Sequence, residues 1–239
     1  MSSAFWYAFV AALGNVVGAL AVTRRAAREL ALIEHFVAFG AGFMLAVALV
    51  EVLPEAFARS GSAAPALVLA GYLAVHFTQH TLTPHFHFGE ETHAVNRLAG
   101  TSALVGLLLH TFFDGVAIAS AFLVRPALGL MVFIAIFLHK LPEGVTVSSL
   151  MMAGGRSGRQ AVGAAAMLGA ATLAGVALTD RIAFLIHHGL ALSAGVTIYV
   201  AASNLVPEFQ GKRGWKLPAA FFAGAAIFYV TKTILDHVS

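Results

Sequence analysis

The sequence predicts an all-α membrane protein: a bundle of eight transmembrane helices arranged as an inverted repeat, with both termini outside. Three observations carry this. Of 239 residues, 59% are apolar and only 10% are charged, against roughly 45 to 50% and about 25% in a soluble domain. Apolar runs of about 20 residues, enough to cross ~30 Å of hydrocarbon at 1.5 Å per residue, recur along the whole chain. Lysine and arginine fall mainly on alternate connections between those runs.

The runs lie at residues 4–22, 36–57, 64–81, 98–124, 127–150, 160–179, 182–207 and 217–236, within a single transmembrane domain over 1–239. No basic residue precedes the first, and Thr23, Arg24 and Arg25 after it do not form a cleavage site, so it reads as a retained span rather than a signal peptide. Arg24, Arg25, Arg28, Arg97, Arg156, Arg159, Lys212, Arg213 and Lys216 follow the odd-numbered spans, whereas only Arg59, Arg125, Arg181 and Lys232 lie on the other side. The positive-inside bias therefore places the odd connections in the cytoplasm. The third connection, 82–97, is a polar loop bearing His85, His87 and His93 with Glu90 and Glu91, and His76 and His80 precede it. It reads either as a solvated loop or as a metal-collecting segment.

Composition also removes function classes. The net charge of +3 comes from basic residues scattered singly or in short clusters, not from a patch that could track nucleic acid. The absence of cysteine excludes disulfides, thiolate zinc sites, iron–sulfur clusters and cysteine catalysis. The 11 histidines become the polar inventory that matters.

Several ionisable residues sit where lipid should be. Glu51, Asp114, Lys140 and Glu143 lie toward the middle of their spans, Glu55 and Glu208 nearer the ends. Three central acids without compensation would cost on the order of 8 to 10 kcal/mol. Span four reads His110-Thr-Phe-Phe-Asp114-Gly115 and span five His139-Lys-Leu-Pro-Glu143-Gly144. Each puts an imidazole and a carboxylate four residues apart, on one helix face. One such pair is commonly a local hydrogen bond; two at matching depth, each followed by glycine, offer two nitrogens and two oxygens around one point. That set suits Zn²⁺ and accepts Fe²⁺, Mn²⁺ or Cd²⁺.

Proline and symmetry add to this. Pro54, Pro142 and Pro207 each precede a glutamate, and each frees a carbonyl one turn back, a device tolerated in membranes along a wet cavity or ion path. Glu51-Val-Leu-Pro-Glu55 in span two matches Asn204-Leu-Val-Pro-Glu208 in span seven. With spans four and five also related, the pattern is that of an inverted duplication, whose site lies where the halves meet.

In these motifs and in the span-two stretch from Gly42 to Glu55, the chain resembles the ZIP family of divalent metal transporters, and the resemblance covers nearly its whole length. It implies eight spans and termini outside a plasma or inner membrane; the expected mechanism is transport toward the cytoplasm by alternating access. The metal site implied is His110, Asp114, His139 and Glu143, with Met44 near the metal and Glu51, Glu55, Asn204 and Glu208 as additional ligands or gates. The expected partners are a divalent metal ion and the bilayer, with a homodimer allowed and no nucleic acid; the transported metal is the only expected ion and no cofactor is expected. Many bacterial members carry His-Asn-x-Pro-Glu-Gly in both spans and hold two metals. Here Thr111 and Lys140 follow the histidines, and Thr172 stands roughly where those members have a glutamate. The expectation is a single-metal site of bacterial type, with the Lys140 ammonium in place of the second ion and balanced by Glu51 or another nearby acid. The rival readings are an intramembrane zinc hydrolase, which would lack His-Glu-x-x-His, and a proton-coupled solute carrier.

Overall fold

The structure is a computed structural model and describes residues 3–24, 30–81 and 97–238. Its elements are helical throughout: α1 (Ser3–Arg24), α2 (Leu30–Val47), α3 (Leu53–Ser60), α4 (Ala64–Thr81), α5 (Arg97–Val124), α6 (Pro126–Ala153), α7 (Gly158–Thr179), α8 (Ala183–Tyr199), α9 (Pro207–Gln210) and α10 (Lys216–Val238). Among the described residues, seven apolar segments are long enough to cross a membrane. One of them, Glu34–Gln79, runs for 46 residues. It is broken between α3 and α4, where Gly61 takes φ +53° and a short 3₁₀ turn follows. Phe222, Tyr229, Val230 and Ile234 of α10 point outward, an apolar exterior that water would not tolerate.

The connection between α5 and α6 is a single residue. Pro126 lacks an N–H and disfavours helical backbone before it, so Arg125 is extended (φ −161°, ψ 147°) and a new helix starts at once. The two helices that carry the His/carboxylate motifs therefore form a tight antiparallel hairpin. At the other end of α6, Gly155 adopts φ +79°. Ser157 and Gln160 then close a reciprocal cap that starts α7.

Pro54 and Pro207 do more than kink their helices. A π-helical turn, Ala48–Val52, lies ahead of Pro54, and a second, Val200–Leu205, ahead of Pro207. In each the last N–H reaches five residues back, Leu53 to Ala48 and Val206 to Ala201. One extra residue is thus accommodated per turn, as is common near functional sites. Pro142, by contrast, sits inside the uninterrupted α6.

Packing divides the helices into a central bundle, α1, α5, α6 and α7, flanked by α2 with α10 against α6 and by α4 with α8 against α5. Four helix pairs meet through reciprocal glycine-to-carbonyl contacts. A Cβ on Gly18 or Gly144 would fall 2.2 Å from Leu141 O or 2.0 Å from Asn15 O, locking α1 to α6. Gly115 and Gly175 do the same for α5 and α7, Gly42 and Gly224 for α2 and α10, Gly71 and Gly195 for α4 and α8. Such small-residue contacts are how membrane helices approach closely.

Because the opposing atom at Gly144 is backbone, no rotamer change can make room for a methyl group. Gly144→Ala is expected to lower stability in detergent by about 1 to 3 kcal/mol. Gly163→Ala, with nothing within 4 Å, should leave the unfolding midpoint unchanged. Equal midpoints for the two variants would contradict the contact.

Candidate metal centre

The hairpin places His110 and Asp114 of α5 opposite His139 and Glu143 of α6. One ligand atom from each lies within 4.8 Å of all the others, and all four residues are buried. The contacts cross between the helices instead of closing within either. His110 Nε2 lies 3.1 Å from Glu143 Oε1, and His139 Nε2 lies 3.3 Å from Asp114 Oδ2. The local hydrogen bond within one helix, the ordinary outcome of this spacing, is therefore not the arrangement adopted.

Imidazole orientation fits a cation. His139 Nδ1 lies 3.1 Å from the Ala135 carbonyl, which can only accept, so Nδ1 carries the proton. With Nδ1 held in this way, Nε2 is the nitrogen aimed at the carboxylates and the one available to a cation, the orientation that metal-bound histidine shows when its other nitrogen is held by a carbonyl. His110 Nδ1 is buried and has no hydrogen-bond partner among the described residues.

Lys140 enters the same cluster. Fully buried, its Nζ donates to Asp114 Oδ2 at 2.6 Å and to Glu143 Oε2 at 2.7 Å. Of the two alternatives, Glu51 or another nearby acid, the structure takes the second. The Glu51 carboxylate is bound instead by Arg125 and Lys232, and Lys232 also reaches Asp236 at 3.1 Å. The balancing acids are the two in the cluster itself. With neutral imidazoles, two carboxylates and one ammonium leave a formal charge of −1, which still favours a divalent cation. Thr111 is buried beside them, its hydroxyl 2.6 Å from Glu143 Oε1 and 2.7 Å from Leu107 O.

A residue that sequence reasoning passed over completes the surroundings. Asn15, fully buried in α1, brings one end of its amide to 2.5 Å from Lys140 O and 3.2 Å from Glu143 Oε2; both are acceptors, so the nitrogen is assigned to that end. Its signal was an amide inside an apolar span between two glycines, Gly14-Asn-Val-Val-Gly18. Thr172 is buried, and its carbonyl abuts Gly115, the residue after Asp114. Met44 lies in the apolar core with Phe43 and Val47. Glu55, Asn204 and Glu208 are half-buried at or beyond the two π-helical turns and outside the four-residue cluster. Ser203, next to Asn204, meets the Tyr72 hydroxyl at 3.1 Å. His85, His87 and His93 lie outside the described residues.

Fold and site together define a class: an all-α, multi-pass membrane protein with a buried, thiolate-free His/carboxylate cluster of the kind that accepts a divalent cation. The sequence profile of the ZIP zinc transporters matches residues 88–232, more than half of the chain, and the chain belongs to that family. It is 31% identical to human zinc transporter ZIP6 over 137 residues, 52% of this chain and 18% of that protein. Zinc transporter SLC39A7 of Canis lupus familiaris is 29% identical over 157 residues, 66% of this chain and 30% of the relative. Zinc transporter ZIP10 of Danio rerio is 28% identical over 109 residues, 44% and 13% respectively. The chain thus spans less than a third of the length of these curated relatives. The family is one of transporters, not enzymes, which sets aside the hydrolase reading.

Proposed function

We propose that this protein carries a divalent transition metal, zinc foremost, toward the cytoplasm by alternating access through His110, Asp114, His139 and Glu143. The observation that carries the reading is the convergence of these four buried donors from one helix hairpin to within 4.8 Å. The zinc transporters it resembles support the choice of metal.

The proposed architecture has eight spans in a plasma or inner membrane with both termini outside, as one transporter domain. A straight helix of 46 residues would measure ~69 Å, more than twice the hydrocarbon thickness, so the segment Glu34–Gln79 is taken as two spans parted at Gly61. The inverted repeat has support beyond the paired motifs. Exchanging α1 with α7, α2–α3 with α8–α9, α4 with α10 and α5 with α6 turns the glycine-locked pair α1/α6 into α7/α5 and α2/α10 into α8/α4. Both π-helical turns also exchange.

In this reading the chain is of bacterial type, and Lys140 stands where a second ion would sit. Asp114 and Glu143 then serve one metal only. Glu51, Glu55, Asn204 and Glu208 act at the gates, Met44 lies along the path, and His85, His87 and His93 gather released metal in the cytoplasmic loop. A homodimer would keep a complete site in each copy, since all four donors come from one chain.

Proteoliposomes test the proposal. Metal-specific Zn²⁺ uptake, competed by Cd²⁺, Fe²⁺ or Mn²⁺, is the expected result; proton flux without metal would point to a solute carrier and defeat it. Anomalous scattering should count one ion per chain, and a pair about 4 Å apart would overturn the single-metal assignment.

A further inference from the structure

We propose that Asn15 is a positioning residue that confines Glu143 to one metal-facing oxygen and thereby selects a four-coordinate cation over ions that demand more ligands. The inference rests on the metal-site reading above and concerns a residue of α1, a helix that contributes none of the four donors.

A carboxamide buried in an apolar span is costly unless its polar atoms are partnered. Asn15 is 0% exposed, and one end of its amide faces two acceptors of α6, the Lys140 carbonyl and Glu143 Oε2, which only the amide nitrogen, assigned to that end, can satisfy. Its reach is set by the closest helix contact in this part of the bundle. Gly144, the residue after Glu143, lies against the Asn15 backbone itself, and Gly18 lies against Leu141 one turn along. A short amide on α1 therefore arrives beside the Glu143 carboxylate at a fixed angle, held by backbone rather than by a flexible stem.

The consequence is a division of labour between the two oxygens of Glu143. Oε2 receives Lys140 Nζ at 2.7 Å and the Asn15 amide at 3.2 Å, which fills its two lone-pair directions. Oε1 faces His110 Nε2 at 3.1 Å and the Thr111 hydroxyl at 2.6 Å. A cation held by both imidazoles meets Oε1 alone, so Glu143 is monodentate. Two nitrogens and one oxygen from each carboxylate make four ligands, the number zinc prefers. Larger or harder ions such as Mn²⁺ gain from octahedral oxygen shells. Lys140 alone would not impose this limit, because its single contact fills one lone-pair direction of Glu143 Oε2 and leaves the other open to the cation.

Purified protein in detergent, loaded with Co²⁺ as a spectroscopic stand-in for zinc, tests the assignment. The parent should show the intense visible bands of tetrahedral Co²⁺. Asn15→Leu, which keeps the branched outline and removes the donor, should show the weaker bands of five- or six-coordinate Co²⁺ and bind Zn²⁺ roughly 10- to 100-fold less tightly. Mn²⁺ affinity should fall by less, so the Zn²⁺/Mn²⁺ preference in competitive uptake narrows by about tenfold, within that same range. Asn15→Ala, a stronger helix former that fits the close contact, should behave alike and covers the case in which leucine cannot be packed. A merely structural asparagine would weaken every metal equally and leave the Co²⁺ spectrum unchanged, and that result overturns the proposal. If instead the parent and His110→Ala bind Co²⁺ identically, the metal site itself is misassigned.

Discussion

His110→Ala is expected to abolish zinc uptake in proteoliposomes while the amount of inserted protein stays at the parental level. Among the described residues His110 has a single polar side-chain contact, to Glu143, and its other ring nitrogen is unpartnered, so truncation removes a ligand and little structural bonding. Glu143→Ala should be equally inactive but less stable, because it strips Lys140, Thr111 and Asn15 of an acceptor at once. Fluorescent zinc indicators inside the vesicles give the rate, and membrane quantification gives insertion. His85→Ala is the useful contrast, with at most a modest change. Parental flux through His110→Ala would dismantle the site assignment.

Lys140→Met is expected to have the largest effect on stability. The ammonium bridges Asp114 and Glu143 with no exposure to solvent, and methionine fills similar space without charge. Removing one partner of a buried ionic cluster typically costs about 3 to 5 kcal/mol, because the remaining charges are left without compensation. Metal-free Lys140→Met should therefore unfold at distinctly lower temperature or denaturant than the parent. Saturating Zn²⁺ should recover much of the difference, since the ion then compensates the same carboxylates and stabilises by mass action. Unfolding with and without zinc makes the comparison; a metal-free variant as stable as the parent would show that Lys140 does not hold the empty site together.

The long helices and the four-donor cluster were legible because membrane burial is written in composition. Runs of apolar residues show where lipid lies, and a spacing of four residues puts His110 above Asp114 and His139 above Glu143. What the spacing could not show is which partner each side chain takes, since that depends on how two helices face each other. Lys140 illustrates the limit. Its unusual place in a span was evident, yet its acids lie three and 26 residues away on two helices, while Glu51 was claimed by Arg125 and Lys232 from outside the central motifs. Asn15 was passed over because one amide in an apolar run signals nothing until the approaching backbone is known. The prolines pointed to irregular helix, but whether a π-helical turn forms is decided by packing: one lies ahead of Pro54 and Pro207, and none interrupts α6 at Pro142.

The single-residue link at Arg125 has a geometric consequence. Asp114 lies 11 residues from that link, and the far end of α5 at Arg97 lies 28 residues from it. At 1.5 Å per residue these arms are ~17 and ~42 Å long. Were the hairpin to open about that link, parting the donors by ~1 Å would spread the distal mouth by ~2.5 Å, on the same arithmetic. A cation released by such an opening would meet the wider gap on the side away from the link, which is the inner face in the proposed orientation.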